Sequence, residues 1–170
     1  MKALTSEQIR PHRMSSWDDV HCSDLAIAMP WPKKGCNVGT MVRVADAVDA
    51  CFMLPKNSPT VNVLRKGSGN TLGAKSLKRI HFTPDGEWEG TWDRIIGVEI
   101  AHDSIPIDEL DMMTSGDRTL IVLGHEVKGI PDEAIALMDE VVEIPMLGIG
   151  NSLNVVNAGV LVAYKVRGLL

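Results

Sequence analysis

Residues 141–167 read VVEIPMLGIGNSLNVVNAGVLVAYKVR. The apolar run Val141, Val142 and Ile144 stops at Pro145, which lacks a backbone donor and ends a strand readily. Gly148-Ile149-Gly150 then breaks the chain into a turn, because glycine reaches backbone angles other residues resist. Asn151 or Ser152 is placed to cap a helix whose apolar face carries Val155, Val156, Gly159, Val160 and Ala163. A strand, a tight loop and a helix N-terminus make a pocket edge suited to a small polar ligand. The plainer alternative is a strand-to-helix connection with no chemistry.

The same alternation recurs upstream. Residues 24–29 (DLAIAM) form an expected buried strand, followed by a Pro- and Gly-bearing loop at 30–35. Asn37 is expected to cap a helix with Val38, Met41, Val42, Ala45 and Val48 at helical spacing, and residues 51–54 form the next strand. Such a β-α-β unit implies parallel pairing with a right-handed crossover. Residues 57–73, rich in Asn, Ser, Gly and Thr, are expected to be a loop, and 83–90 a turn region. Strands are expected at 78–82, 94–100 and 119–123, with helices at 107–113 and 132–138. The whole predicts one α/β domain over 1–170, a parallel sheet covered by helices on both faces, with residues 1–22 as an N-terminal arm.

With 170 residues the chain has enough length for one real core and too little for two. It has no apolar run long enough to span a bilayer, and its first residues lack the apolar region of a secretory signal. Three cysteines, Cys22, Cys36 and Cys51, without ligand spacing imply reduced thiols in a cytosolic protein. A net charge of −5 argues against nonspecific coating of nucleic acid but leaves room for a local basic patch.

Three loops that follow strands carry Gly beside polar side chains: 35–43, 123–131 and 145–154. In open parallel sheets such loops share one edge, where ligands bind. None is a phosphate-binding P-loop or a dinucleotide glycine fingerprint, and Gly67-Ser68-Gly69 alone reads as flexible chain. This disfavours a nucleotide-binding oxidoreductase. His125-Glu126 is not part of a zinc motif, so no metal is expected. Asn37 and Asn154 could be plain helix caps, and Arg43 either a solvated cation or the partner of a carboxylate or phosphate.

Together, the three loops resemble the motifs of the SpoU/TrmH branch of the SPOUT RNA 2′-O-methyltransferases. Residues 37–47 (NVGTMVRVADA) resemble motif 1, residues 120–130 (LIVLGHEVKGI) motif 2, and EIPM at 143–146 with Gly148 and SLNV at 152–155 motif 3. Their order and spacing agree across roughly residues 24–167. The resemblance implies an α/β fold whose C-terminal part, 119–167, threads into a deep trefoil knot and binds S-adenosylmethionine. It also implies a homodimer whose sites are completed across the interface. Leu123, Gly124, His125, Gly129, Ile144, Met146, Ser152 and Leu153 would hold the cofactor. Asn37, Arg43, Glu126, Ser152 and Asn154 carry over as the catalytic group.

The family assigns Arg43 as base. An arginine stays protonated in nearly all settings, so its better role is to stabilise the forming alkoxide or hold the adjacent phosphate. Two departures from the family pattern are Val156, where many members have Ser, and Asp49, where many have Gly. With no appended N-terminal RNA-binding domain in the sequence, RNA would be gripped by Lys33, Lys34, Arg65, Lys66, Lys75, Lys78 and Arg79. The alternative is a solvated cationic face. Residues 94–110 and the GHEVKGIP run look most like members acting on tRNA guanosine, with ribosomal RNA as second choice. A catalytically silent, knotted RNA-binding protein is the competing class.

Overall fold

The computed structural model describes residues 24–56, 79–84 and 92–170. In chain order they form β1 (Leu25–Ala28), α1 (Gly35–Ala47), β2 (Cys51–Pro55), β3 (Ile80–Thr83), β4 (Arg94–Val98) and β5 (Ile105–Pro106). Then come β6 (Thr119–Leu123), α2 (Asp132–Ile135), β7 (Glu140–Glu143) and α3 (Val155–Val166). The strands make a seven-stranded sheet in the order β3-β2-β1-β6-β4-β7-β5, and every pairing is parallel. β6 is central, with Ile121 opposite both Ile27 and Ile96.

Alternation along the strands builds two cores. Leu25, Ile27, Ile96, Ile121 and Leu123 point to the face covered by α1 and α3, through Met41, Val42, Val162 and Ala163. Ala26, Ala28, Leu120 and Val122 point the other way, against Ile130 and Ala134 beside α2. Burial on both faces explains why β1, and β6 after Thr119, read as unbroken apolar runs. α1 and α3 approach closely because Gly159 carries no side chain. A Cβ there would lie 2.9 Å from Leu123 Cδ1 and 3.3 Å from Met41 Cε.

Several expectations are corrected. Residues 107–113 are not helical: the chain makes the short edge strand β5 and then turns, with Glu109 N–H donating to the Pro106 carbonyl. Ile107, Leu110 and Met113 have the spacing of a helix face, but so short a segment cannot pay for its own nucleation. Tertiary bonds claim its backbone instead: Ile107 N–H donates to Glu143 O, and Met113 N–H to Val166 O. The helix expected at 132–138 is α only over Asp132–Ile135, because Leu137 and Met138 bond to carbonyls three residues back. α1 starts at Gly35, so Asn37 lies inside its first turn and is not its cap. Neither Asn151 nor Ser152 caps α3; Asn154 does, its side chain accepting from Val156 N–H at 2.9 Å. The expected arm at 1–22, the loop at 57–73 and most of the turn region at 83–90 lie outside the described residues.

Candidate active site

All strands being parallel, their carboxyl ends share one edge, and there a cleft of about 230 Å³ opens. Its walls come from the ends of β4 (Val98, Glu99, Ile100), β6 (Gly124, His125, Glu126, Gly129) and β7 (Val142, Glu143, Ile144). The start of α3 closes it with Ser152, Leu153, Asn154, Val155 and Ala158, and Lys34 approaches from the loop before α1. The 123–131 and 145–154 loops therefore meet; 35–43, expected as a third loop, is instead the first turns of α1, and it joins them through the Asn37 side chain.

One hydrogen-bonded network joins them. Glu126 Oε1 accepts from Lys34 N–H at 2.8 Å and from Asn37 Nδ2 at 2.9 Å, while Oε2 accepts from Lys33 N–H at 2.9 Å. Asn37, only 6% exposed, turns its Oδ1 toward Asn154 Nδ2 at 3.5 Å. Asn154 in turn caps α3. Burial pushes the Glu126 carboxyl up, but the backbone donors, that of Lys34 foremost, and the Asn37 amide outweigh it. The net value lies below the ordinary carboxyl value, and Glu126 stays ionised.

The turn carrying Glu126 is tightly built. His125 and Gly129 exchange both backbone bonds, and His125 Nδ1 accepts from Val127 N–H at 3.0 Å and Lys128 N–H at 3.2 Å. His125 Nδ1 thus serves the turn as an acceptor. Gly129 takes a φ of 70°, and a Cβ on Gly124 would fall 2.7 Å from the Gly129 carbonyl carbon. Both positions need glycine.

Of the expected cofactor contacts, Gly124, His125, Gly129, Ile144, Ser152 and Leu153 line the cleft. Leu123, expected to contribute backbone, is not among the lining residues; as the last residue of β6 its side chain is fully buried on the α1/α3 face, beneath the cleft. Met146 is exposed on the adjoining loop with Leu147 and Ile149, outside the cleft lining. Arg43 is exposed on α1, farther along the helix than Asn37, and does not line the cleft.

Among the expected RNA-contacting cations, Lys33 and Lys34 are exposed beside the cleft. Arg65, Lys66, Lys75 and Lys78 lie outside the described residues. Arg79 is a correction. It is 4% exposed, and its guanidinium is held by Asp46 at 3.0 Å and Asp49 at 2.8 Å, so its charge serves the fold rather than a phosphate.

Two cleft carboxylates were not among the expected site residues. Glu99 accepts from Ile100 N–H and Ile130 N–H, both at 2.9 Å, and Glu143 accepts from Ser104 Oγ at 2.8 Å. Their signal was available in position alone: each is a carboxylate at the C-terminal end of a strand. No group of three His, Cys, Asp or Glu among the described residues is placed to hold a metal ion. No helix among them is long and apolar enough to cross a membrane.

Comparison with known proteins gives the arrangement a context. The model of the SpoU rRNA Methylase family matches residues 24–164. The tRNA (guanosine(18)-2′-O)-methyltransferase of Escherichia coli (strain K12) is 29% identical over 148 residues, covering 85% of this chain and 63% of the relative. The 23S rRNA (uridine(2479)-2′-O)-methyltransferase of Streptomyces viridochromogenes is 26% identical over 151 residues, covering 83% of this chain and 51% of the relative. This chain thus spans between half and two thirds of the length of these relatives. Among solved structures, an AdoMet-bound rRNA methyltransferase from Sinorhizobium meliloti superposes with a TM-score of 0.71 at 20% identity, over 90% of this chain and 59% of the other, a likeness of fold.

Proposed function

Because the chain belongs to the SpoU rRNA methylase family, matched over residues 24–164, we propose that it is an S-adenosylmethionine-dependent RNA 2′-O-methyltransferase acting on tRNA at a guanosine ribose. The observation that carries this reading is the Glu126–Asn37–Asn154 network, which ties the three motif segments around one cleft. The tRNA assignment draws support from the Escherichia coli relative. The Streptomyces relative supports ribosomal RNA as the second reading.

The cleft suits the cofactor chemically. Val98, Ile144, Leu153 and Val155 offer apolar walls for its adenine and methionine parts, and the glycine backbones at 124 and 129 let a ligand approach closely. When bound, S-adenosylmethionine supplies an electrophilic methyl on a sulfonium. The protein's task is then to place a ribose hydroxyl in line and stabilise the charge growing on its oxygen. Asn37 and Asn154 orient the acceptor nucleotide, and Glu126 fixes Asn37. Ser152, exposed at the cleft, adds a hydroxyl for cofactor or ribose. Arg43 acts as a fixed cation toward the alkoxide or the adjacent phosphate, with Lys33 and Lys34 drawing the RNA backbone.

Three further parts belong to the same reading. Threading of 119–167 as a trefoil knot is supported by the strand order, in which the late strand β6 lies between β1 and β4. A homodimer with composite sites is supported by Leu147 and Ile149, fully exposed apolar residues at the cleft's rim. A dimer would also explain how Arg43, outside this cleft, reaches a site: that of a second copy. A cytoplasmic location is the part of the reading supported by a tRNA substrate such as that named for the Escherichia coli relative.

Labelled methyl transfer to total tRNA and total rRNA, followed by mapping, tests the reading. Label at a tRNA ribose is the expected result. Label in rRNA alone would move the assignment to the second reading. Binding of RNA with no transfer and no S-adenosylhomocysteine binding would replace both with the silent RNA-binding protein.

A further inference from the structure

The cleft holds a carboxylate that the network above does not use. Glu99 stands immediately after β4, its own N–H donating to the Val142 carbonyl at 3.1 Å. Its two oxygens are divided between two walls. Oε1 accepts from Ile100 N–H, within its own loop, and Oε2 reaches across to Ile130 N–H, at the end of the 124–129 turn. Nothing local demands that second bond; the partners are 31 residues apart in sequence. The turn is built to receive it. A Cβ on Gly129 would sit 2.3 Å from Glu99 Oε2, so the left-handed glycine leaves the space the carboxylate occupies.

The consequence runs through the turn to the polar network. Gly129 exchanges both backbone bonds with His125, and Glu126 follows His125 directly. Fixing Ile130 therefore fixes the far leg of a closed turn whose near leg presents Glu126 to Asn37. We infer that Glu99 is a positioning residue for the proposed transfer: by clasping the end of the 124–129 turn it sets Glu126 against Asn37 and so aligns the groups that receive the RNA ribose. This rests on the methyltransferase reading of the cleft. The carboxylate is the required group, because both oxygens accept from N–H donors. Glutamine at this position would turn an NH₂ toward one of them.

The test is a cycle of Glu99→Gln, Glu126→Gln and the double variant, each measured for kcat and KM on the RNA that the unaltered protein methylates. Hydrogen exchange at the Ile130 amide and calorimetric affinity for S-adenosylhomocysteine accompany it. Misplacing an aligned group by about an ångström lowers kcat on the order of a hundredfold, which is the loss expected for Glu99→Gln with KM for RNA unchanged. Because Glu99 acts through Glu126, the double variant should be no slower than the slower single one. Exchange at the Ile130 amide should rise about tenfold or more in Glu99→Gln as its charged acceptor is lost.

Multiplicative losses in the double variant, or normal turnover with Ile130 exchange unchanged, would overturn the inference and leave the methyltransferase reading intact. An unaltered protein that neither binds S-adenosylhomocysteine nor transfers methyl would remove both. If Glu99→Gln fails to fold, Glu99→Asp keeps the charge but shortens the reach. It must show the same loss of kcat and the same rise in exchange, and wild-type behaviour in both overturns the inference.

Discussion

Glu126→Gln is the substitution that isolates what holds the site together. The carboxylate accepts three bonds: Lys34 N–H and Asn37 Nδ2 on Oε1, and Lys33 N–H on Oε2. Glutamine has one oxygen. Its best orientation keeps the two Oε1 bonds and turns an NH₂ against the Lys33 N–H, donor against donor. The loss is one bond to a charged acceptor, about 1.5–3 kcal/mol, and water reaching the exposed Lys33 amide recovers part of it. A net cost of about 1–2 kcal/mol follows, equivalent to a fall in Tm of roughly 2–8 °C for a domain of this size. Differential scanning calorimetry measures it directly. Linkage supplies a second check. The folded carboxyl titrates below the ordinary value of 4.5, so its contribution is complete above that pH and is lost as pH falls through the folded value. The gap in Tm between the two proteins should therefore hold near neutrality and narrow in acid. No gap near neutrality, or one that persists undiminished to about pH 3, would refute the argument.

Arg43→Ala should abolish methyl transfer while S-adenosylhomocysteine affinity by calorimetry stays unchanged, since Arg43 is outside the cleft lining; turnover near normal would remove it from the mechanism. Gly124→Ala should cost about 1–3 kcal/mol and eliminate the thermal shift given by S-adenosylhomocysteine, because the new Cβ meets backbone at Gly129 and Ile130 that cannot step aside. A preserved ligand shift would show that the turn is softer than its contacts imply. Arg79→Met should lower stability by about 2 kcal/mol, a buried-pair loss moderated by the partial exposure of Asp46 and Asp49, and leave RNA affinity unchanged by filter binding. Weakened RNA binding with unchanged Tm would restore Arg79 to the RNA-facing set.

What the sequence disclosed tracks the range of the forces involved. β1 and β6 were readable because a strand buried on both faces is apolar along nearly its whole length, a property of its own residues. The meeting of the three segments was readable because a parallel sheet puts all strand ends on one edge, although 35–43 arrives as the start of α1 and not as a loop. Residues 107–113 misled because Ile107, Leu110 and Met113 satisfy a helical period, while the decisive bonds go to Glu143 and Val166, far along the chain. Arg79 looked like one cation in a basic run. Only the fold brings Asp46 and Asp49 to it. Glu99 likewise became visible through a partner that its own neighbourhood in sequence does not contain.

Asp49 connects these levels. Its φ of 54° is the left-handed conformation that glycine takes freely and a residue with a side chain reaches at a cost of about 1–2 kcal/mol. Here the carboxylate offsets that cost by binding Arg79 at 2.8 Å and approaching Arg167 at 3.5 Å, while Arg167 also donates to the Val48 and Asp49 carbonyls. The cluster joins the C-terminal end of α1 to that of α3, and Gly159 lets the same helices pack closely in between. Their N-terminal ends carry Asn37 and Asn154, whose 3.5 Å separation belongs to the site. Two helices pinned at one end and packed along their length have little freedom to spread at the other. A residue remote from the cleft thus bears on the spacing of the two asparagines through the rigidity of the pair that presents them.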